Sequence, residues 1–324
     1  MFPFYKEKNE KLKLEFSDLG CIIKSLIKKE NNTNYVLRYK KDSQYLKNIY
    51  YFGAIIGRNA GRTYPCYYKN FNNEIINLDN NENSVHLHGG KNGLDKKNWN
   101  VQIINNEKAV LKFKDCNSLY GSGELTVIYE LYKSNFNIKI YGKSENPDIF
   151  NLTSHSYFNL NKNKDSILKH HLFISDSRLQ IIDRQFIPTE EYIDFKKESN
   201  FSEYDFSKLK EIRHSVDKNT SLSEICDYGI DLAYCFKKHD YKNKIEIWSD
   251  NYENGLKISS NQEACVIYTL NKITDEAVKL ENGKNIKKYN GITFEMQRKP
   301  NYVHSEKTDI LTGNYYSITN YEII

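Results

Sequence analysis

The feature that most constrains this chain is a two-residue alternation of apolar and other side chains that starts and stops many times. It runs through KLKLEF (11–16), NYVLRY (34–39), VQIIN (101–105), AVLKFK (109–114), ELTVIYEL (124–131), FNIKIYG (136–142), KIEIWSD (244–250), ACVIYTL (264–270) and YYSITNYEI (315–323). Successive side chains of a strand point to opposite faces, so a period of two marks strands with one buried face. Turns rich in Asn, Gly, Asp and Lys separate the segments, the pattern of antiparallel sheets in a sandwich or barrel. Composition agrees: 26 Tyr and 16 Phe favour strands, and only 5 Pro interrupt them. One helical stretch is expected, FSEYDFSKLKEIRH at 201–214. No repeat, linker or break in composition divides the 324 residues, so one all-β domain spanning 1–324 is the economical expectation.

Several function classes fall away. The net charge of +5 comes from 47 basic and 42 acidic residues spread without a dense patch, which argues against nucleic acid as a partner. No apolar run approaches the roughly 18 residues of a membrane span, and the opening MFPFYKEKNEKLKLEF has no signal-peptide core. The six cysteines form no CxxC pair, so reduced thiols and a cytoplasmic location are expected. GxSxG, P-loop and GxGxxG signatures are absent, removing the common serine-hydrolase, NTPase and dinucleotide readings.

Four segments have a second face that is polar without being charged in the ordinary way. In NLTSHSYFNL (151–160) the odd positions are Asn151, Thr153, His155, Tyr157 and Asn159, opposite Leu152, Phe158 and Leu160. GITFEMQ (291–297) sets Thr293, Glu295 and Gln297 opposite Ile292, Phe294 and Met296. GIDLAYCF (229–236) sets Asp231, Ala233 and Cys235 opposite Ile230, Leu232, Tyr234 and Phe236, and SVHLHGG (84–90) alternates His86 and His88 with Val85 and Leu87. If these faces line one cleft, it holds two carboxylates and two or three histidines, enough for general acid/base work near neutral pH. The His86-x-His88 pair is also a possible metal couple, but GGKNGLD follows it where a cupin-type site needs a nearby Glu, so no metal is expected.

In this order the segments resemble the aldose 1-epimerase (galactose mutarotase) family. The resemblance rests on GAIIGRNAGR (53–62), LHGGKNGLDKKNW (87–99), NLTSHSYFNL (151–160), GIDLAYCF (229–236) and FEMQRKPN (294–301) and covers almost the whole chain. It implies a large antiparallel β-sandwich, the galactose mutarotase-like supersandwich, with an open cleft on one sheet face. It also implies interconversion of the α and β anomers of a free aldohexose, galactose or glucose. Residue by residue, Glu295 matches the general base and His155 the general acid. Arg62, His88 and Asp231 match positions that hold the sugar, and Tyr157, beside His155, is expected to line the pocket. The chemistry moves only protons, so no cofactor is needed, provided one group is a carboxylate and the other an imidazolium. The implied partner is a small-molecule sugar, bound by a monomer or homodimer.

The chain departs from the family pattern at Gly61, where Asn usually precedes the Arg; at Leu232, usually His; at Val266, often Gln; and in PNYVHSEKTD (300–309), where expected groups are missing. Two readings remain beside the enzyme: a non-catalytic sugar-binding protein of the same fold, and a hexose-6-phosphate 1-epimerase, which should carry extra Arg contacts. A two-carboxylate glycosidase is disfavoured, since the Glu295 and Asp231 pair lacks an obvious raised-pKa acid.

Overall fold

The structure is a computed structural model describing residues 3–116, 118–216, 220–238, 240–305 and 310–324. Among them the strands form a nine-stranded, a six-stranded and a four-stranded sheet and three two-stranded ribbons, as the alternation predicts. The spine of the larger sheet is three long neighbours, Gly123–Tyr132, Asn135–Asp148 and Thr312–Ile323, all antiparallel. Thr312–Ile323 also pairs with Gly255–Ser260, so the last strand joins the two halves of this sheet.

The inward residues of the nine-stranded sheet, including Val127, Tyr129, Ile138, Ile140, Ile247 and Ile258, are buried against the back of the six-stranded sheet: Phe158, Leu179, Leu232, Tyr234, Ile267, Ile292, Phe294 and Met296. This sandwich core takes one face of the smaller sheet and leaves the other for the cleft. A second cluster, built on Tyr39, Tyr45, Tyr50, Phe52 and Tyr157, packs beside the cleft and holds its wall. Among the described residues no helix is long and apolar enough to cross a membrane.

Two segments differ from expectation. In NYVLRY only Asn34 lies in a strand, Thr33–Asn34; Tyr35, Val36, Leu37 and Tyr39 are all buried, and the backbone of 35–39 bonds to Leu26, Tyr157, Asn159 and Glu281 and bridges to Phe158 and Leu280 without forming a strand. Its alternation therefore does not separate core from solvent. The stretch 201–214 forms no α-helix: it holds two 3₁₀ turns, Ser199–Tyr204 and Ile212–Ser215, around the two-residue strand Lys210–Glu211. Its backbone is used at the sheet edge, where the Phe206 carbonyl accepts from the Ile174 N–H and Lys210 pairs with Leu172. The one α-helix among the described residues is the single turn Ser221–Ile225, capped by the Thr220 hydroxyl.

Candidate active site

Strand register builds the floor of the cleft. In the six-stranded sheet, Tyr157 of Tyr157–Phe158 pairs with Thr293, Thr293 with Tyr268, and Tyr268 with Asp231. One step along, Glu295 pairs with Val266, Val266 with Ala233, and Ala233 with Gln180. Side chains two apart share a face, so these two rows face one way and the core residues between them face the other. Apart from Thr293, which donates to Glu295, all of them line one open cavity that also takes in Arg62, His88 and His155. The cleft thus brings together every sequence-predicted site residue: Glu295, His155, Arg62, His88, Tyr157 and Asp231.

The stretch 151–160 reaches this cleft by breaking its strand. Thr153–Ser154 pairs with Ile55–Ile56, and Tyr157–Phe158 pairs with Ile292–Gln297. Between them, the His155 N–H donates to the Ala54 carbonyl at 2.8 Å and the His155 carbonyl accepts from Gly53 at 3.2 Å. The polar residues of this face do two different things. Asn151 and Asn159 are staples: the Asn151 side chain bridges the Ala60 carbonyl and the Arg298 N–H, and Asn159 donates to the carbonyls of Asp165 and Asn290. His155 and Tyr157 reach the cavity.

The two histidines of SVHLHGG do not share a face. The ribbon strand ends at Leu87, and His88 turns into left-handed backbone at φ 53°. His88 and Leu87 line the cavity, while His86 is buried elsewhere between the Asp79 carbonyl and the Tyr120 hydroxyl, both at 2.8 Å. The strand-period reading fails there because a positive-φ residue resets which way the next side chain points.

His155 Nε2 lies 3.5 Å from Glu295 Oε1, and both side chains are almost wholly buried. Thr293 Oγ1 donates to the same carboxyl oxygen at 3.1 Å. The His155 ring is enclosed by the rings of Tyr51, His88 and Tyr157, at 5.1 to 5.5 Å between centroids. Burial dominates the electrostatics. It pushes the Glu295 carboxyl up to about 8, with Asp231 adding to the rise and the Thr293 hydrogen bond and Arg62 opposing it. It pushes the His155 imidazole down to about 3. In the empty site near neutral pH the pair therefore carries one proton, on Glu295. That differs from the carboxylate and imidazolium expected from sequence, because Glu295, the carboxylate beside His155, is itself desolvated by burial and near Asp231.

Arg62 is fixed from two sides. Its Nε donates to Glu82 at 2.6 Å, and its two Nη atoms donate to Asp231 Oδ2 at 3.3 Å. Burial works against its charge, and Asp231 and Glu82 more than restore it. Gly61 contributes through its backbone, where its N–H donates to His88 Nδ1 at 3.2 Å. At φ +78° it occupies left-handed backbone, and a Cβ there would come within 2.9 Å of Gln297 Nε2. The neutral His88 ring, held well below its ordinary pKa by burial and by His155 and Arg62, accordingly carries its hydrogen on Nε2. Of the other departures, Leu232 lines the cavity but is buried in the sandwich core, Val266 sits directly beside Glu295, and 306–309 lie outside the described residues.

His88, His155 and Glu295 offer donor atoms within 4.8 Å of one another, a two-His, one-carboxylate set of the kind that holds divalent iron or zinc. The His88 tautomer does not fit. A metal-bound imidazole donates its second N–H outward, whereas His88 Nδ1 accepts from Gly61, leaving a hydrogen on Nε2 and no free lone pair on either nitrogen.

Sequence reasoning missed Tyr51, Tyr268 and Glu82, and gave Thr293 a place on the polar face without a role. Tyr51 and Tyr268 are two of 26 tyrosines with nothing local to distinguish them. Thr293 was legible as the neighbour of Glu295 on the same strand face; Glu82 carried no signal.

Known proteins bear on this arrangement. The family model described as Aldose 1-epimerase matches residues 4–314. An aldose 1-epimerase from Streptococcus thermophilus is 31% identical over 305 residues, covering 90% of this chain and 83% of the relative. A galactose mutarotase from Sus scrofa is 25% identical over 311 residues, covering 93% and 86%. Among solved structures, an aldose epimerase homologue from C. elegans superposes with a TM-score of 0.88 at 18% identity, covering 100% of this chain and 99% of the other. A galactose 1-epimerase from Lactobacillus acidophilus gives 0.84 at 21% identity, covering 100% and 98%.

Proposed function

The chain belongs to the aldose 1-epimerase family and is an isomerase of sugar anomers, and from that premise we propose that it acts on free galactose or glucose with His155 and Glu295 as the proton-transfer pair. The observation that carries the assignment of roles is the 3.5 Å approach of two almost wholly buried side chains, His155 Nε2 and Glu295 Oε1, at the cavity wall.

Anomerisation opens a hemiacetal and closes it on the other face. Opening needs the O1 hydroxyl proton removed and the ring oxygen protonated. With Glu295 as carboxylate and His155 as imidazolium, Glu295 takes the O1 proton, the C1–O5 bond breaks, and His155 gives its proton to O5. The pair then holds its proton on Glu295, the form that burial favours in the empty site. After rotation about C1–C2, Glu295 returns the proton to the carbonyl oxygen, His155 takes the one on O5, and the ring closes. The proton count never changes, so the site needs no exchange with water during turnover. Entry from the resting form requires one transfer from Glu295 to His155, over the same 3.5 Å.

The remaining residues bind. His88, fixed as an Nε2–H donor, Arg62 and Asp231 engage ring hydroxyls, and Tyr157 closes the wall behind His155. A neutral sugar suits this charge balance better than a sugar phosphate: among the described residues the cavity's cations are Arg62 and Lys272, and Arg62 is already bonded to Glu82 and Asp231. We place the enzyme in a reducing, intracellular compartment, where its six free cysteines are stable.

The test is polarimetry on freshly dissolved α-D-galactose and α-D-glucose with an enzyme-free blank. Acceleration with either sugar, lost in Glu295→Gln, is the expected result. A folded protein that accelerates neither, or a Gln variant as active as wild type, overturns the reading.

A further inference from the structure

We propose that Tyr51 is a positioning residue of the reaction: its ring closes the histidine side of the proton pair, keeping water off His155 and fixing the plane of its imidazole. This rests on the proton-pair reading above, because that reading gives His155 its role.

Three rings meet at this point. The Tyr51 centroid lies 5.5 Å from that of His155 and 5.1 Å from that of His88, and the two histidine rings are 5.3 Å apart. Tyr157 takes a further side of His155 at 5.1 Å. All four residues line the cavity, but at different depths: Tyr157 is 2% exposed, His155 3% and His88 8%, whereas Tyr51 is only part-buried. The Tyr51 ring is thus the outer cover of the imidazole, and removing it opens His155 to the cleft. The groups facing His155 bring no charge to it in the resting site. Glu295 is held neutral, burial holds both phenols protonated, and His88 is neutral, with Arg62 and Lys96 near enough to disfavour a charge there. Burial is therefore what keeps the imidazole uncharged, and Tyr51 is the part of that burial one substitution removes.

The turn that carries Tyr51 is built to hold it there. Tyr51 sits at φ 56°, left-handed backbone that a bulky side chain rarely adopts and that its surroundings must sustain. Asn48 sustains it: its carbonyl accepts from the Tyr51 N–H at 2.8 Å, and its side-chain amide bonds both the N–H and the carbonyl of Phe52. The Tyr51 carbonyl in turn accepts from the Ala54 N–H at 3.0 Å. The same turn grips the His155 backbone through the Gly53 N–H and the Ala54 carbonyl. One segment, 48–54, thus holds His155 by its backbone and covers it by its ring. The contacts to both histidines are made by the Tyr51 ring, so phenylalanine should serve in its place and a side chain without a ring should not.

The experiment measures kcat/KM of wild type, Tyr51→Phe and Tyr51→Ala on α-D-galactose by polarimetry from pH 4 to 8, with thermal melts at both ends. Wild type and Tyr51→Phe should be flat between pH 4 and 7. In Tyr51→Ala, water reaches His155, its pKa returns part of the way toward the ordinary value of about 6.5, and the acid limb rises to about pH 5. Its kcat/KM at pH 4 should then be roughly tenfold below its own value at pH 7. The ratio within one protein cancels any general loss from a looser fold. Should Tyr51→Ala not fold at pH 4, Tyr51→Leu, which keeps an apolar body without a ring, is read in its place, with the limb displaced in the same direction. A ringless variant whose profile superposes on wild type overturns the inference, as does a Tyr51→Phe profile that shifts with that of Tyr51→Ala. A wild type active on galactose but with its acid limb already near pH 6 also overturns it alone, since nothing then keeps His155 dry. Inactivity of wild type on both galactose and glucose overturns the parent reading.

Discussion

The protonation of the Glu295–His155 pair makes a quantitative prediction for pH. The free enzyme holds one proton on the pair between the His155 value of about 3 and the Glu295 value of about 8. Below that window both groups are protonated and no base remains; above it both are deprotonated and no acid remains. kcat/KM reports the free enzyme, so it should stay flat from about pH 4 to about pH 7 and fall tenfold per unit above about 8. At pH 9 the loss should be about tenfold, where an ordinary imidazole acid titrating near 6.5 would lose about 300-fold. At pH 4 the activity should be intact, where an ordinary carboxylate base near 4.5 would already have lost about fourfold.

The assay is polarimetry on a low concentration of α-D-galactose across pH 4 to 10. Water and hydroxide also open the hemiacetal, so the blank is subtracted at each pH. A basic limb at pH 6 to 6.5 would falsify the buried shared proton, because it would mean His155 titrates as though exposed. The cause can be tested separately. Asp231→Asn removes a neighbour that raises the Glu295 pKa and leaves Arg62 with one fewer carboxylate, and both changes favour ionised Glu295. Its basic limb should therefore move to lower pH, whatever happens to KM.

Other expectations follow from single positions. Glu295→Gln should lower kcat by about 10²- to 10⁴-fold with a melting temperature within a few degrees of wild type, since the change is nearly isosteric; a loss explained by unfolding would remove its force. Val266→Gln, checked by the same pH series, should lower the basic limb by placing an amide donor beside the Glu295 carboxyl. Gly61→Ala should cost about 1–3 kcal/mol in stability, because φ +78° disfavours Ala and its Cβ meets Gln297; it should also raise KM by loosening His88, and an unchanged melt would show that the turn relaxes freely. Glu7 is buried, which lifts its carboxyl to about 7, with the Lys108 backbone lowering and Glu107 raising it. A raised carboxyl contributes stability below about pH 4.5 that is lost by about pH 7. Glu7→Gln should thus gain on wild type as the pH rises from 5 to 8 in thermal melts, and an equal difference at both ends would contradict the burial argument.

What the sequence disclosed and what it hid have a physical division. Strands with one buried face announced themselves, because in/out alternation is a local property: Gly123–Tyr132 was legible residue by residue. The opposite placement of Glu295 and Phe294 followed from the same period. Segments buried on every side, such as 35–39, had no alternation tied to solvent, and residues turned by positive φ, such as His88, broke the period where it mattered. Protonation was the least legible property. Whether Glu295 is charged depends on how deeply the folded cleft buries it, on Asp231 two strands away, and on Arg62, far off in sequence.

That dependence gives the departure at Val266 a consequence. A polar side chain there would solvate the carboxylate; Val266, paired with Glu295 across the strands, has no hydrogen bond to offer it. The chain keeps both residues of the proposed proton-transfer pair, and burial with Asp231 nearby favours the neutral pair, which is also the protonation state of the proposed open-chain intermediate. The position bears on how the catalytic proton rests as much as on which sugar hydroxyl is contacted. Substitution at Val266 should therefore move the pH profile even where the preference between galactose and glucose stays put.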